Sequence, residues 1–213
     1  MHKPSVGVSL EGLPYIFLSA FVTLIFAVLQ CWFLALLGVI LTGLILNFFR
    51  DPERVLPDDA DAVVCPADGK VIKVGRADDP ITGQPRQVIC IFMNVFDVHV
   101  NRMPVSGTIK EIRYIPGKFV NASFDKASTD NERNIVHIAG PNNERFTMVQ
   151  IAGLVARRIV CWTEKEDKLK RGERFGLIKF GSRVDLYMPD GYIPQVREGD
   201  RVVAGETALA TKA

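Results

Sequence analysis

The chain has 213 residues, a formal net charge of +2 and only three histidines. That charge is too balanced for a protein whose main partner is nucleic acid, and the length suits one modest soluble domain plus a membrane segment. The four cysteines (Cys31, Cys65, Cys90 and Cys161) show no CxxC spacing, and with His2, His99 and His137 they form no metal-ligand pattern. We therefore expect neither a disulfide scaffold nor a bound metal.

Positions 12–49 form an interval of 38 residues without a charge. One spanning helix takes about 20 apolar residues, so the interval is too long for one ordinary span and slightly short for two. Pro14 suits a helix start, and Gln30 lies midway between the apolar runs Tyr15–Leu29 and Cys31–Phe49. The pattern predicts a tight hairpin of two short helices, with one long tilted transmembrane helix as the alternative. A cleavable signal peptide does not fit, because the run is too long and no small-x-small site follows it. Arg50 and Arg54 come directly after the run, which places the rest of the chain on the cytoplasmic side of a cell membrane. The expected division is a membrane-anchoring segment, 1–50, and a β-rich catalytic domain, 51–213.

From Val63 onward the pattern is mainly β. Short β-branched or alternating runs predict strands at Val63-Val64, Val71–Val74, Val88–Phe92, Val98–Val100, Thr108–Ile115, Ile135–Ile138 and Phe146–Ala152. Others follow at Val155–Cys161, Phe175–Phe180, Val184–Met188 and Val202-Val203. Turn signals such as Asp68-Gly69, Pro116-Gly117 and Pro189-Asp-Gly191 separate them. The polar stretch Asn121–Arg133 reads as a long mobile loop, and the charge-dense stretch Glu164–Arg174 as an exposed connection. Pro66–Val74 and Val196–Glu206 resemble paired strands of a barrel-sandwich of the biotinyl or lipoyl type, so we expect a barrel-sandwich-like β domain. Lys70 lacks the flanks of a carrier lysine, so the likeness is one of architecture alone.

Gly181-Ser182 interrupts two of these strand runs. A glycine inside a strand pattern marks a bulge or a close backbone approach. A strained peptide bond followed by a hydroxyl is what a self-cleaving serine needs. Serine also needs a base, and the histidines are few. Asp97 and His99 alternate onto one face if their segment is a strand, so Asp97 either orients His99 or caps a turn. His137, in the apolar run Ile135–Ile138, reads as structural.

Five pieces of the chain occur in one order: Asn47-Phe-Phe-Arg-Asp-Pro-Glu-Arg54, Cys65-Pro-Ala-Asp-Gly-Lys-Val71, Phe96-Asp-Val-His-Val-Asn-Arg-Met-Pro-Val-Ser-Gly107, Asn131-Glu-Arg-Asn134 and Phe180-Gly-Ser-Arg183. Together they resemble the short form of the phosphatidylserine decarboxylases. The resemblance implies a proenzyme that cuts itself between Gly181 and Ser182. Its large chain, 1–181, then stays with a small chain, 182–213, as a heterodimer. Ser182 becomes a covalent pyruvoyl cofactor, whose keto group forms a Schiff base with the substrate amine. The implied reaction converts a phospholipid substrate, phosphatidylserine, to phosphatidylethanolamine and carbon dioxide at a membrane.

The same resemblance makes Asp68 and His99 the candidate groups for self-cleavage or proton delivery. Longer members are assigned an Asp-His-Ser relay and carry a second histidine where this chain has Arg102. For the lipid phosphate, Arg102 and Arg133 are the leading candidates, with Lys118, Arg157 and Arg158 also available, since arginine matches phosphate geometry. Two other readings stay open. One is the same chemistry on an archaeal-type serine lipid, and the other is a membrane-anchored barrel-sandwich adaptor without catalysis.

Overall fold

The structure is a computed structural model describing residues 7–124, 126–154, 158–179 and 181–213. It divides into two compact units, Met1–Glu53 and Arg54–Ala213.

The first unit is a helical hairpin. After a short 3-10 turn, α1 (Leu13–Val28) runs to a reversal at Gln30, whose φ is 58°, and α2 (Trp32–Phe48) returns alongside it. Pro14 sits in the first turn, where a missing N–H costs nothing. The helices approach closely at Gly38, where a Cβ would fall 2.3 Å from Thr23 Oγ1. The open end is closed by stacking of Tyr15 on Phe49, with ring centroids 5.6 Å apart. The hydroxyls of Ser19, Thr23 and Thr42 bond back to carbonyls of their own helices, which removes polar groups from the surface. Large apolar side chains remain exposed all round, among them Phe17, Trp32 and Phe33, each about 70% accessible. Leu10–Val28, at 19 residues and mean hydropathy 1.8, is long and apolar enough to cross a membrane, while α2 is shorter.

The second unit is mainly β. Its strands are β1 (Val63–Val64), β2 (Gly69–Asp78), β3 (Pro85–Met93), β4 (Val100–Arg102), β5 (Gly107–Ile115), β6 (Arg133–Ala139) and β7 (Arg145–Ala152). They continue with β8 (Arg158–Cys161), β9 (Lys168–Leu169), β10 (Arg174–Lys179), β11 (Ser182–Met188), β12 (Tyr192–Pro194), β13 (Arg201–Val202) and β14 (Ala208–Lys212). Eight form one sheet in the order β13-β2-β3-β11-β7-β6-β5-β9, and two three-stranded sheets, β1-β14-β12 and β4-β10-β8, complete the unit. Neighbouring strands run antiparallel throughout. The two ends of the domain meet as the sequence suggests, with Arg201 opposite Lys70 and Val202 opposite Gly69.

Strand β11 lies fourth in the large sheet and is buried on both faces. Val184, Leu186 and Met188 enter the main core with Ile89, Ile91 and Met148. The alternate face carries Arg183 and Asp185, and its Tyr187 joins a second cluster with Cys90, Val149 and Ile151.

Several expectations need correction. The segment 121–133, expected to be a mobile loop, is anchored: it contains α3 (Ala127–Asp130), Ala127 is buried in the second cluster, and the Asn131 amide donates to the carbonyls of Val120 and Ala152. The stretch Glu164–Arg174 contains β9, which pairs with β5 and buries Leu169. Val98 and His99 precede β4 rather than lying in it, so Asp97 and His99 do not share a strand face. Strands β9, β12 and β14 were not foreseen. Of the expected strand Val155–Cys161, positions 155–157 lie outside the described residues, as do Asp125, Phe180 and the phosphate candidate Arg157. All four cysteines are free thiols.

Candidate active site

Ser182 opens β11, paired across the sheet with Met93 of β3 on one side and Ala152 of β7 on the other. It shares a face with Val184, so its side chain points into the main core. It is fully buried, and among the described residues its Oγ has no hydrogen-bond partner. Leaving a buried hydroxyl unpaired costs about 1–3 kcal/mol, so a fold that keeps one there calls for a chemical reason.

The residue before it supplies the backbone geometry. Gly181 has a φ of +69°, in the left-handed region, with open space where a Cβ would stand. Glycine is therefore needed at 181 for its dihedral angle, which costs other residues about 1–2 kcal/mol. Its carbonyl packs against Gly153, where an added Cβ would lie 2.3 Å from the Gly181 oxygen. At 153 glycine is needed for space.

His99 lies just before β4, and its carbonyl accepts the Ile178 N–H of β10 at 3.3 Å. The ring is fully buried. Its Nε2 accepts the Gly181 N–H at 3.3 Å, and its Nδ1 lies 2.9 Å from the Asp97 carbonyl oxygen. A carbonyl only accepts and a peptide N–H only donates, so both contacts require the neutral ring protonated on Nδ1. The Nε2 lone pair is thereby aimed at the Gly181–Ser182 segment. The Asp97 main-chain carbonyl, and not its carboxylate, meets His99. Its carboxylate is committed to the Asn94 N–H at 2.8 Å and to Arg201 at 2.9 Å.

Asp68 stands at the same end of the sheet, in the turn leading into β2, whose Lys70 pairs with Phe92 beside Met93. One carboxylate oxygen accepts the Ala204 N–H at 2.8 Å and the other the Arg54 guanidinium at 2.7 Å. Burial raises its pKa above the ordinary carboxylate range, and the Ala204 N–H and Arg54 only partly oppose this. The two phosphate candidates differ in setting. Arg102 is buried, with its guanidinium on the Gly172 carbonyl at 2.9 Å. Arg133 is half-buried at the start of β6, bonded to the carbonyls of Thr129 and Asn131.

Two groups escaped the sequence reading. Directly after Ser182, on the opposite face, Arg183 grips Asp185 through two bonds of 2.6 and 3.0 Å, touches Cys90 Sγ at 3.1 Å and reaches the Phe124 carbonyl at 3.4 Å. Burial opposes the charge on Arg183, but Asp185 more than offsets it, and the pKa rises. On the Ser182 face, Asn134 donates to Gln150 at 3.0 Å and Gln150 to Asn101 at 2.9 Å. Asn101 ends the chain 3.7 Å from the sulfur of Met93. The signal for this chain was present in the sequence: Gln150 occupies a core position in the alternation Phe146, Met148, Gln150, Ala152.

A buried hydroxyl, an adjacent glycine carbonyl and an imidazole lone pair suit attack of a serine on its own backbone, the class of chemistry used by self-processing chains. Comparison with known sequences is more specific. The family model described as Phosphatidylserine decarboxylase matches residues 41–210. The phosphatidylserine decarboxylase proenzyme of Solidesulfovibrio magneticus is 56% identical, with all of both chains covered. That of Nitratidesulfovibrio vulgaris is 57% identical over 100% of this chain and 98% of its own. That of Paraburkholderia phymatum is 44% identical over 99% of each. This chain belongs to the phosphatidylserine decarboxylase family.

Proposed function

We propose that the chain is a proenzyme that cuts its own backbone between Gly181 and Ser182, then decarboxylates phosphatidylserine to phosphatidylethanolamine and carbon dioxide. The observation carrying this reading is the buried Ser182 Oγ, unpartnered among the described residues, next to a left-handed glycine whose N–H rests on His99. In the cut, Ser182 Oγ bonds to the Gly181 carbonyl carbon as the peptide C–N bond breaks. The hydroxyl proton passes to the freed nitrogen, leaving an ester. Removal of the Ser182 Cα proton then breaks the Cβ–O bond and releases chain 1–181 with a carboxylate end. Water displaces the nitrogen of the remaining dehydroalanine as ammonia, leaving a pyruvoyl group at residue 182 of chain 182–213. That group is an electrophilic ketone, which supplies a hold on the substrate amine and a sink for the electrons left by carbon dioxide.

The surrounding residues have distinct tasks. His99 is the base: the Asp97 carbonyl keeps its proton on Nδ1, and the 3.3 Å contact at Nε2 is long enough to yield to the neighbouring hydroxyl. Gly153 lets the Gly181 carbonyl lie where it can be attacked. Asp68, held by Arg54, supports the site as a second carboxylate at this end of the sheet. Arg133 is the better placed of the two phosphate contacts, because Arg102 is buried on a carbonyl. The helical hairpin anchors the enzyme to the membrane, and Arg50 and Arg54 favour a domain on the cytoplasmic side.

Intact-mass measurement of the purified protein tests the cut. Two fragments ending and beginning at 181 and 182 are expected, with the smaller carrying a pyruvoyl mass. Ser182→Ala should give one uncut, inactive chain of 213 residues. A Ser182→Ala protein still split at this bond would overturn the proposal.

A further inference from the structure

The end of the sheet that holds Ser182 carries a rim of apolar loop tips. Ser182 pairs with Met93 and Ala152, the last residues of β3 and β7, so the loops leaving those strands flank it on both sides. The first presents Val95 and Phe96, 45% and 65% accessible, and the second presents Leu154 at 66%. A third tip, Phe124 at 61%, is drawn to the same end by the bond from Arg183 to its carbonyl. Lone exposed apolar residues are ordinary, but large ones on three separate loops around one buried reactive residue are not. The far end of the sheet differs: there the turn between β6 and β7 carries Glu144, bonded to Tyr192 and Lys212.

Charge narrows the choice of partner. Among the described residues of this rim, Lys126 and Arg158 are exposed. Lys118 is 74% exposed and shares the acid Asp130, and Arg201 is 66% exposed and shares Asp97. Among the described residues, basic groups thus outnumber acidic ones around the apolar tips. Large apolar side chains ringed by cations match an anionic lipid surface, where the tips enter the acyl boundary and the cations meet headgroups.

We propose that this rim docks the catalytic domain, with the end of the sheet that holds Ser182 foremost, onto an anionic phospholipid bilayer, as a contact separate from the helical hairpin. The inference rests on the decarboxylase reading in one respect: a substrate with two long acyl chains reaches a buried residue most directly if the end of the sheet that holds it lies on the bilayer. Docking this way requires no extraction of the chains into water.

The test uses the full chain bound to vesicles of phosphatidylcholine and phosphatidylserine, with Trp32→Phe and Trp162→Phe to remove the native indoles. Phe124→Trp places a fluorophore on the rim, and Ile193→Trp places one in β12, toward the far end of the sheet. Lipids brominated on the acyl chains should quench the Phe124→Trp protein by at least half and leave the Ile193→Trp protein nearly unchanged. Equal quenching at both sites, or none at the rim, overturns the proposal whether or not the protein is a decarboxylase. A second arm uses the triple variant Val95→Ser, Phe124→Ser, Leu154→Ser. It should be cut normally and turn over monomeric short-chain phosphatidylserine, yet lose at least tenfold in rate on vesicles. Equal loss on both substrates, or no loss on vesicles, also overturns the docking. A native protein that stays uncut and inactive on both substrates sinks the decarboxylase reading instead, and the quenching still decides the docking.

Discussion

Gly153 and Gly181 meet at the bond assigned to cleavage, but each is glycine for a different reason, and the reasons separate by mutation. At Gly181 a Cβ has room and only the positive φ opposes it, so Gly181→Ala should cost about 1–2 kcal/mol of stability and slow the cut. At Gly153 a Cβ would sit 2.3 Å from the Gly181 oxygen, a backbone atom that must move away. Gly153→Ala is therefore expected to slow cutting at least tenfold, followed on gels with freshly translated precursor. Cutting at the native rate in Gly153→Ala would remove carbonyl placement from the scheme. Asp68 carries a pH prediction. Its folded pKa is raised above 3.8, chiefly by burial, so the ionised form that pairs with Arg54 is lost on acidification at a pH above 3.8. Precursor cutting should fall along that limb, and Asp68→Asn should be slow at every pH with the limb gone. Stability has the opposite sign: a raised carboxylate contributes fully below 3.8 and loses that contribution as pH rises through the folded value. Acid that slows the cut therefore does not unfold the protein through this group. These side chains were legible because Gly-Ser, Asp-Gly and a scarce histidine fall in recognisable pieces. The partners they use were not. Asp97 serves His99 through a carbonyl, which no residue type announces, and Asp68 meets Ala204 across 136 positions of chain.

Strand β11 shows at the element scale why the arrangement is rigid. Its first residue is Ser182, the serine assigned to the cut, and its next two positions on the opposite face hold the buried Arg183–Asp185 pair, with Arg183 reaching the Phe124 carbonyl. Removing one partner of a buried pair leaves an uncompensated charge, at a cost of about 3–5 kcal/mol, whereas replacing both by apolar groups is often neutral. Arg183→Met should thus destabilise by that amount in chemical denaturation, and Arg183→Met with Asp185→Leu should recover most of it. If the double variant is no more stable than the single, the pair is not the source of the loss. Strand periodicity in the sequence found the long inner strands because each carries enough β-branched and apolar residues, alternating or in a continuous run, to show a pattern. It missed β9, β12 and β14, which are two to five residues long and lie at sheet edges or in the small β1-β14-β12 sheet, where a short run of side chains carries little pattern. The segment 121–133 looked mobile for a related reason. Its order comes from Asn131, a single side chain bridging Val120 and Ala152, and not from local propensity.

At the scale of the molecule, the proposed scheme divides the work of holding and reacting between the two compact units. The unit Arg54–Ala213 has its own core of fully buried Phe146, Phe175, Ile89, Ile91 and Met148. Every residue assigned to the chemistry, from Asp68 to Ser182, lies within it. The helices α1 and α2 bury almost nothing of their own surface: Ala35 and Phe48 are the only buried residues in the two. A hairpin so apolar and so open is stable in lipid and a liability in water. Deleting residues 2–50 should therefore move the protein from the membrane to the soluble fraction and leave the cut at 181–182 intact. Turnover should fall mainly on vesicle substrate, because the lipid is no longer delivered at high local concentration, while a water-soluble short-chain substrate keeps its rate within a few-fold. Fractionation, an intact-mass spectrum and the two assays read these outcomes separately. If the full-length protein proves soluble without detergent or lipid, the hairpin is not an anchor. If the truncated protein is folded but uncut, the hairpin has a part in the chemistry that the geometry around Ser182 does not reveal.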